Sequence, residues 1–262
     1  MKTKSDRLFA GLFECRLIIT YRNLQIMILA VLPALLVTVA TLYILVGQYD
    51  TLTANGTARS LYNPYLYIVY SILNVGNYLL PVVFILIPAG SAIAEKQGGM
   101  LLRTIPCRKW IMTVSEVLSL TMITAISICI AFLAFLVSVR IASCCLPLLD
   151  LSAYPIHYDI ALFFLRLLAV ALLIVLTQFR LHRLSCSCII PVAFGLVMMS
   201  GIVPDDFNIY SGGVRWAWRC LNNGIPLSDT LPFLKLCTIY SCFIVISAIL
   251  KQWKKLIINY RK

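Results

Sequence analysis

The sequence predicts an all-α integral membrane protein with six transmembrane helices, preceded by a helix lying in the cytoplasmic interface. Three observations carry this: scarce charge, long apolar runs, and the sides on which basic residues fall. Of 262 residues, 61% are hydrophobic and only 12% charged, at a mean hydropathy of +0.93. A water-facing domain keeps about 25% of its residues charged. Most of this surface must therefore face something other than water.

The apolar runs come next. A bilayer core of ~30 Å needs about 20 apolar residues in a helix. Six segments qualify: Leu24–Val46, Leu66–Ala94, Thr113–Val139, Ile160–Phe179, Cys186–Val203 and Phe233–Leu250. The second, at 29 residues, must tilt, kink or run past the membrane, and it contains Pro81 and Pro88. Each proline removes a backbone donor and crowds the preceding turn. Membrane helices tolerate this where neighbours satisfy the freed carbonyls. The last two segments are shorter and should thin the bilayer or stand upright. The first run begins at Leu24 and is 23 residues long, longer than the ~7–15-residue core of a cleavable leader. An anchor that stays in the membrane is expected.

Charge placement sets the orientation. Sixteen of the 22 Lys and Arg lie before the first run, between the second and third, between the fourth and fifth, or after the sixth. The opposite loops hold Arg59, Arg140, Arg215 and Arg219 beside Asp50, Asp150, Asp159, Asp205, Asp206 and Asp229. Basic residues stay cytoplasmic, so both termini are expected inside a cell (plasma) membrane. The net charge of +12 then reads as a topology signal that also meets anionic membrane lipids. Nucleic acid is not an expected partner. The whole chain, 1–262, reads as one membrane domain.

Residues 1–23 form the expected interfacial helix. On a helical wheel Leu8, Phe9, Leu12, Phe13, Cys15 and Ile19 share a side, opposite Arg7, Gly11 and Glu14. Arg16 projects from the apolar side and must snorkel or meet a protein partner.

Residues 95–112 form the most informative loop. Glu95 ends a long span, Gly98 and Gly99 permit a tight turn, and Met100, Leu101, Leu102 and Ile105 are apolar in a basic setting. Pro106 then stops the short helix they suggest. Such a helix needs an apolar surface, either the interface or another protein. The plainer reading is a loop resting on headgroups.

The order Glu95, Gly99, Leu101 or Leu102, Pro106, Arg108 resembles the cytoplasmic loop of type-2 ABC-exporter permeases. There the pattern is roughly E-x-x-x-G-x-L-x-x-L-x-x-x-P-x-x-R, and the spacings here differ by one or two residues in places. The layout is also similar to that family: interfacial helix, six spans, and a long outer segment, here 204–232, between the fifth and sixth. The resemblance implies a permease subunit that pairs with a second copy or a related permease and docks a separate ATP-binding chain. Glu95, Gly98, Gly99, Leu101, Leu102, Pro106 and Arg108 would form the coupling helix. In size and short outer loops the chain looks most like the bacterial lantibiotic-protection (immunity) permeases, which implies a membrane-active peptide as substrate. ATP would be bound by the partner, and no cofactor is expected on this chain.

No catalytic constellation is visible. There is no G-x-x-x-x-G-K-[S/T]. Ser211-Gly212-Gly213 matches part of an ABC signature, but it lies in a predicted outer loop and is read as chance. His157 and His182 fall on opposite predicted faces, and Glu95, Glu116 and Asp159 form no carboxylate pair. Cys186-x-Cys188 is too short for a zinc knuckle. Most cysteines lie near spans as small apolar residues, while Cys144, Cys145 and Cys220 should lie outside. Asn55-Gly-Thr57 matches a glycosylation acceptor, relevant only in a eukaryotic secretory pathway.

Three further features bear on a substrate route. Tyr67, Tyr70, Ser71, Asn74, Asn77 and Tyr78 fall within one stripe of the second span. A polar stripe in hydrocarbon must face protein or a cavity, as path, dimer seam or simple packing. Arg166 lies inside the fourth span, seven residues from Asp159, and a charge there is a functional candidate unless it snorkels outward. Trp216 and Trp218 sit in a short outer interfacial helix, as a substrate contact or a belt anchor. An ion-coupled secondary transporter and a non-transporting scaffold or assembly factor stay open as alternatives.

Overall fold

The computed structural model describes residues 4–47, 64–98, 109–145, 158–185, 187–200, 202–204, 207–219 and 227–260. Among them the chain is helical, with no strand. In order the helices are α1 (Lys4–Arg22), α2 (Leu24–Gly47), α3 (Pro64–Gly98), α4 (Lys109–Cys145), α5 (Tyr158–Ser185), α6 (Ile189–Met199), α7 (Gly212–Arg219) and α8 (Leu227–Tyr260).

Within α2, α4 and α5, three segments are long and apolar enough to cross a membrane: Leu24–Tyr43, Trp110–Ile141 and Ile160–Ser185. Shorter apolar stretches run over Tyr78–Ala94, Ile189–Met199 and Leu231–Ser247. The surfaces of α2 and α4 reverse the pattern of a water-facing helix. On α2, Leu24, Ile28, Val31, Leu35, Val39 and Leu42 are exposed, while Ile26, Ala30, Ala34 and Val37 are buried. On α4, Val114, Leu118, Met122, Leu133, Val137 and Ile141 form the matching exposed stripe. Such outward apolar stripes suit hydrocarbon as solvent.

Local chemistry explains several boundaries. Asn23 separates α1 from α2 by one residue, and its Oδ1 accepts from the amides of Gln25 (3.0 Å) and Ile26 (3.4 Å). That is an N-cap, satisfying donors which the first turn leaves over. Pro64 opens α3, where a missing N–H costs nothing. Helix α3 continues through Pro81 and Pro88 to 35 residues, ~52 Å at 1.5 Å per residue.

The main core gathers on α5, which packs against α3, α4, α6, α7 and α8. Ile160, Val170, Ala171, Ile174 and Val175 are essentially inaccessible. Helix α2 lies against α3 and α4, where the Ser127 hydroxyl donates to the Ala30 carbonyl at 2.7 Å. A hydroxyl-to-backbone bond between two apolar helices is typical membrane packing.

The fifth expected span is seen only in part. The run Cys186–Val203 folds as the 11-residue α6, ~16 Å long and so about half a hydrocarbon core. Six full spans are therefore not what the described residues present. Ser200 ends α6, its amide and hydroxyl both turned back to the Val197 carbonyl.

Candidate functional site

Two buried polar regions stand out, one near the end of the bundle that carries α1 and one beside the middle of α5. The first centres on Glu116, in the second turn of α4 and only 4% exposed. Its Oε2 lies 3.6 Å from Nη1 of Arg16 on α1 and accepts a hydrogen bond from Nη2 of Arg183 on α5. Arg16 is 5% exposed. Arg183 is partly exposed and its guanidinium lies 5.5 Å over the Phe179 ring.

The protein partner required for Arg16 is thus Glu116 of the same chain. The face of α1 that turns inward carries Leu12, Arg16 and Thr20, whereas Cys15 is exposed. The predicted apolar side is rotated accordingly, and Arg16 lies on the protein-facing side. Two arginines around one carboxylate tie α1, α4 and α5 together where α4 begins. The neighbouring turn is held by His182, whose Nδ1–H donates to the Ser187 carbonyl at 2.8 Å. His157 lies outside the described residues.

The second region is built around Asn208, which sequence reasoning passed over. It is fully buried. Its Nδ2 donates to the Met198 carbonyl near the end of α6, and its Oδ1 accepts from the Tyr210 amide at 3.0 Å. Gly212 and Gly213 donate to the Asn208 and Ile209 carbonyls as α7 starts. One side chain thereby staples the end of α6 to the turn before α7. An Asn in an apolar stretch just after Pro204-Asp205-Asp206 is the signal that marks it, since Asn competes well for backbone partners in turns.

Tyr210 points from this turn to Gln178 on α5, which donates from Nε2 to the Tyr210 hydroxyl at 3.0 Å. The Tyr240 hydroxyl on α8 donates to the Phe207 carbonyl and accepts from the Ile209 amide, each at 3.3 Å. A Cβ on Gly213 would stand 2.8 Å from Val170, and one on Gly195 would stand 2.7 Å from Ile85 and 2.8 Å from Gln178. The non-helical turn 208–211 and the start of α7 therefore lie against α5, through Tyr210 on Gln178 and Gly213 on Val170. Non-helical backbone is tolerable at membrane depth only where protein covers it. Of Ser211-Gly212-Gly213, it is Gly213 that makes this close approach.

Arg166 lies on the half of α5 remote from Glu116. It is 7% exposed, with its guanidinium 5.5 Å over the Phe233 ring of α8. Its Nη1 is buried without a hydrogen-bond partner, as are Thr177 Oγ1 and Gln178 Oε1.

The remaining candidates are placed only in part. Glu95 and Gly98 occupy the last turn of α3 and Tyr67, Tyr70, Ser71, Asn74 and Asn77 lie along it, their side chains outside the described part. Tyr78, on the same helix, is exposed. Gly99, Leu101, Leu102, Pro106 and Arg108 lie outside the described residues. Trp216 and Trp218 fall on α7, again without described side chains. Among the described residues no three of His, Cys, Asp and Glu come together. Compared with known proteins, the chain matches no family, no curated protein and no solved structure.

Proposed function

We propose that this chain is the membrane-spanning permease subunit of an ATP-driven transporter of the type-2 ABC-exporter kind. It works with a separate ATP-binding chain and a second copy or a related permease. Its substrate is a membrane-active peptide such as a lantibiotic, expelled for self-immunity or resistance. The observation that carries this reading is the loop of Glu95, Gly99, Leu101, Leu102, Pro106 and Arg108, joining α3 to α4 at the end where Arg16, Glu116 and Arg183 meet. A segment that passes on the force of ATP hydrolysis needs a firm seat. The cluster fixes the first turns of α4 to α1 and α5, so a push on the loop reaches three helices at once.

The test is a pull-down of the tagged chain in mild detergent, paired with a transport assay. A P-loop ATPase copurifies with the wild-type chain, and L102D loses it. E95A and L102D insert normally but abolish transport. Normal transport in both variants refutes the coupling role.

A second reading, ion-coupled transport, is favoured by the interrupted α6–α7 segment beside the middle of α5. Secondary transporters place ion sites at breaks of this kind. Transport that survives ATP depletion and collapses with the proton gradient would select it over the first.

A further inference from the structure

We infer that Arg166 is the anchor of an oxyanion-binding site in the seam between α5 and α8, and that the anion it takes is the phosphate of an anionic lipid, one whose headgroup carries no cation to balance it. This inference stands apart from the ATP-coupled reading and does not depend on it.

A guanidinium carries five N–H donors in a planar fork and stays charged at any physiological pH. Burying it is costly unless its charge and donors are met. Arg166 is 93% buried by the complement of its 7% exposure. The contact the structure gives its guanidinium is the face of Phe233, at 5.5 Å. A ring quadrupole offsets part of the charge, yet it accepts no in-plane hydrogen bond. Nη1 is buried with no acceptor. An intramembrane cation held in this way marks a binding function more readily than a packing role, because an apolar side chain would pack there at lower cost.

The surroundings select the class of ligand. Arg166 lies six residues from Ile160, where the apolar segment of α5 begins, ~9 Å along the helix. That depth is reached by the headgroup of a lipid drawn into a helix seam and met halfway by a long side chain. The residues next to the pair are Leu165 on α5 and Leu234 on α8, both exposed, as is Leu231 one turn before. An amphiphile with its anionic group on Arg166 and its acyl chains over these leucines satisfies both kinds of surface. A planar fork pairs with phosphate through two parallel N–H bonds. A cation over a ring face keeps its in-plane N–H donors for an anion at its edge, and Nη1 of Arg166 is such a donor without an acceptor.

Dissolved phosphate offers the same chemistry, and the experiment separates the two sources. The full chain is reconstituted in nanodiscs of phosphatidylcholine alone or doped with phosphatidylglycerol. Retained lipid is read by native mass spectrometry and unfolding by a thermal scan. The wild type retains phosphatidylglycerol over phosphatidylcholine. R166Q weakens that retention roughly 10- to 100-fold, the worth of a charge-assisted pair. R166K, which keeps the charge without the fork, falls between. Millimolar inorganic phosphate leaves the retained lipid in place; displacement by phosphate would overturn the lipid assignment in favour of a dissolved oxyanion. In phosphatidylcholine alone R166Q unfolds at or above the wild-type temperature, because it removes a buried charge. Equal lipid selectivity in wild type and R166Q overturns the site. Should R166Q fail to insert, unchanged selectivity in R166K overturns it instead.

Discussion

Glu116 meets Arg183 across 67 residues of sequence and Arg16 on another helix again. A carboxylate this deeply buried is stable only with such company. Breaking a buried ion pair by removing one partner typically costs 3–5 kcal/mol. E116A should therefore cost about 3 kcal/mol or more, read as a lower unfolding temperature in detergent. E116Q, which keeps an acceptor for Arg183, should lose less. An unfolding curve for E116A that overlays the wild type would mean that the cluster does not hold α1. The sequence marked both ends of this contact without joining them. Arg16 was visible as a charge on the wrong side of an amphipathic helix, and Glu116 as an acid bordering a span. Their meeting is a tertiary fact, and helical periodicity reports which way a side chain points but not what arrives there.

At the scale of elements, hydrophobic length was legible and hydrophobic continuity was not. The long runs that became α2, α4 and α5 are apolar apart from Glu116 and Arg166 and could hardly fold otherwise in lipid. Cys186–Val203 looked like another member of the set. It stops at Met199, and the chain beyond is held inward by Asn208 and Tyr240, whose side chains supply partners to the backbone there, and by Tyr210, bonded to the Gln178 side chain. The two glycines that allow this approach belong to different helices, Gly195 to α6 and Gly213 to α7. G195A should be destabilising, because its methyl would stand within 3 Å of Ile85 and Gln178. Overpacking of this kind costs about 1–3 kcal/mol. The displaced Gln178 amide should also lose its bond to Tyr210, visible as a change in near-ultraviolet tyrosine signal. Full stability in G195A, with that signal unaltered, would show that Ile85 and Gln178 yield freely and that the contact is not tight.

For the molecule as a whole, the charge asymmetry predicts an orientation that the two ends of the bundle allow to be tested. Arg16, Glu116 and Arg183 gather at one end, and the terminal turns of α4 with Cys144 and Cys145 lie at the other. Helix α4 is 37 residues long, ~55 Å from end to end, more than enough to separate two aqueous phases. Cys15 and Cys144 are both exposed. In variants keeping only one of them, a membrane-impermeant maleimide added to intact cells should label Cys144 and spare Cys15. Equal labelling of both would overturn the topology in which the termini are cytoplasmic. What the sequence left open at this scale was the arrangement of neighbours. Composition predicts helices that avoid water, but hydrocarbon offers no contrast between a side chain facing lipid and one facing another apolar helix, so the place of α5 at the centre had no signature.

The brevity of α6 has a consequence for how the protein is made. Membrane helices are commonly inserted one by one as they leave the ribosome and packed together afterwards. Eleven residues are too few to hold a place in the bilayer alone, and the turn after them needs the Tyr240 hydroxyl of α8, which is synthesised later. The stretch from α6 to α7 must then wait at the membrane surface or inside the insertion machinery until α8 has emerged. Its assembly is the last event of biogenesis rather than a step in sequence order, and a chain cut short before α8 has a half-helix with nowhere to go.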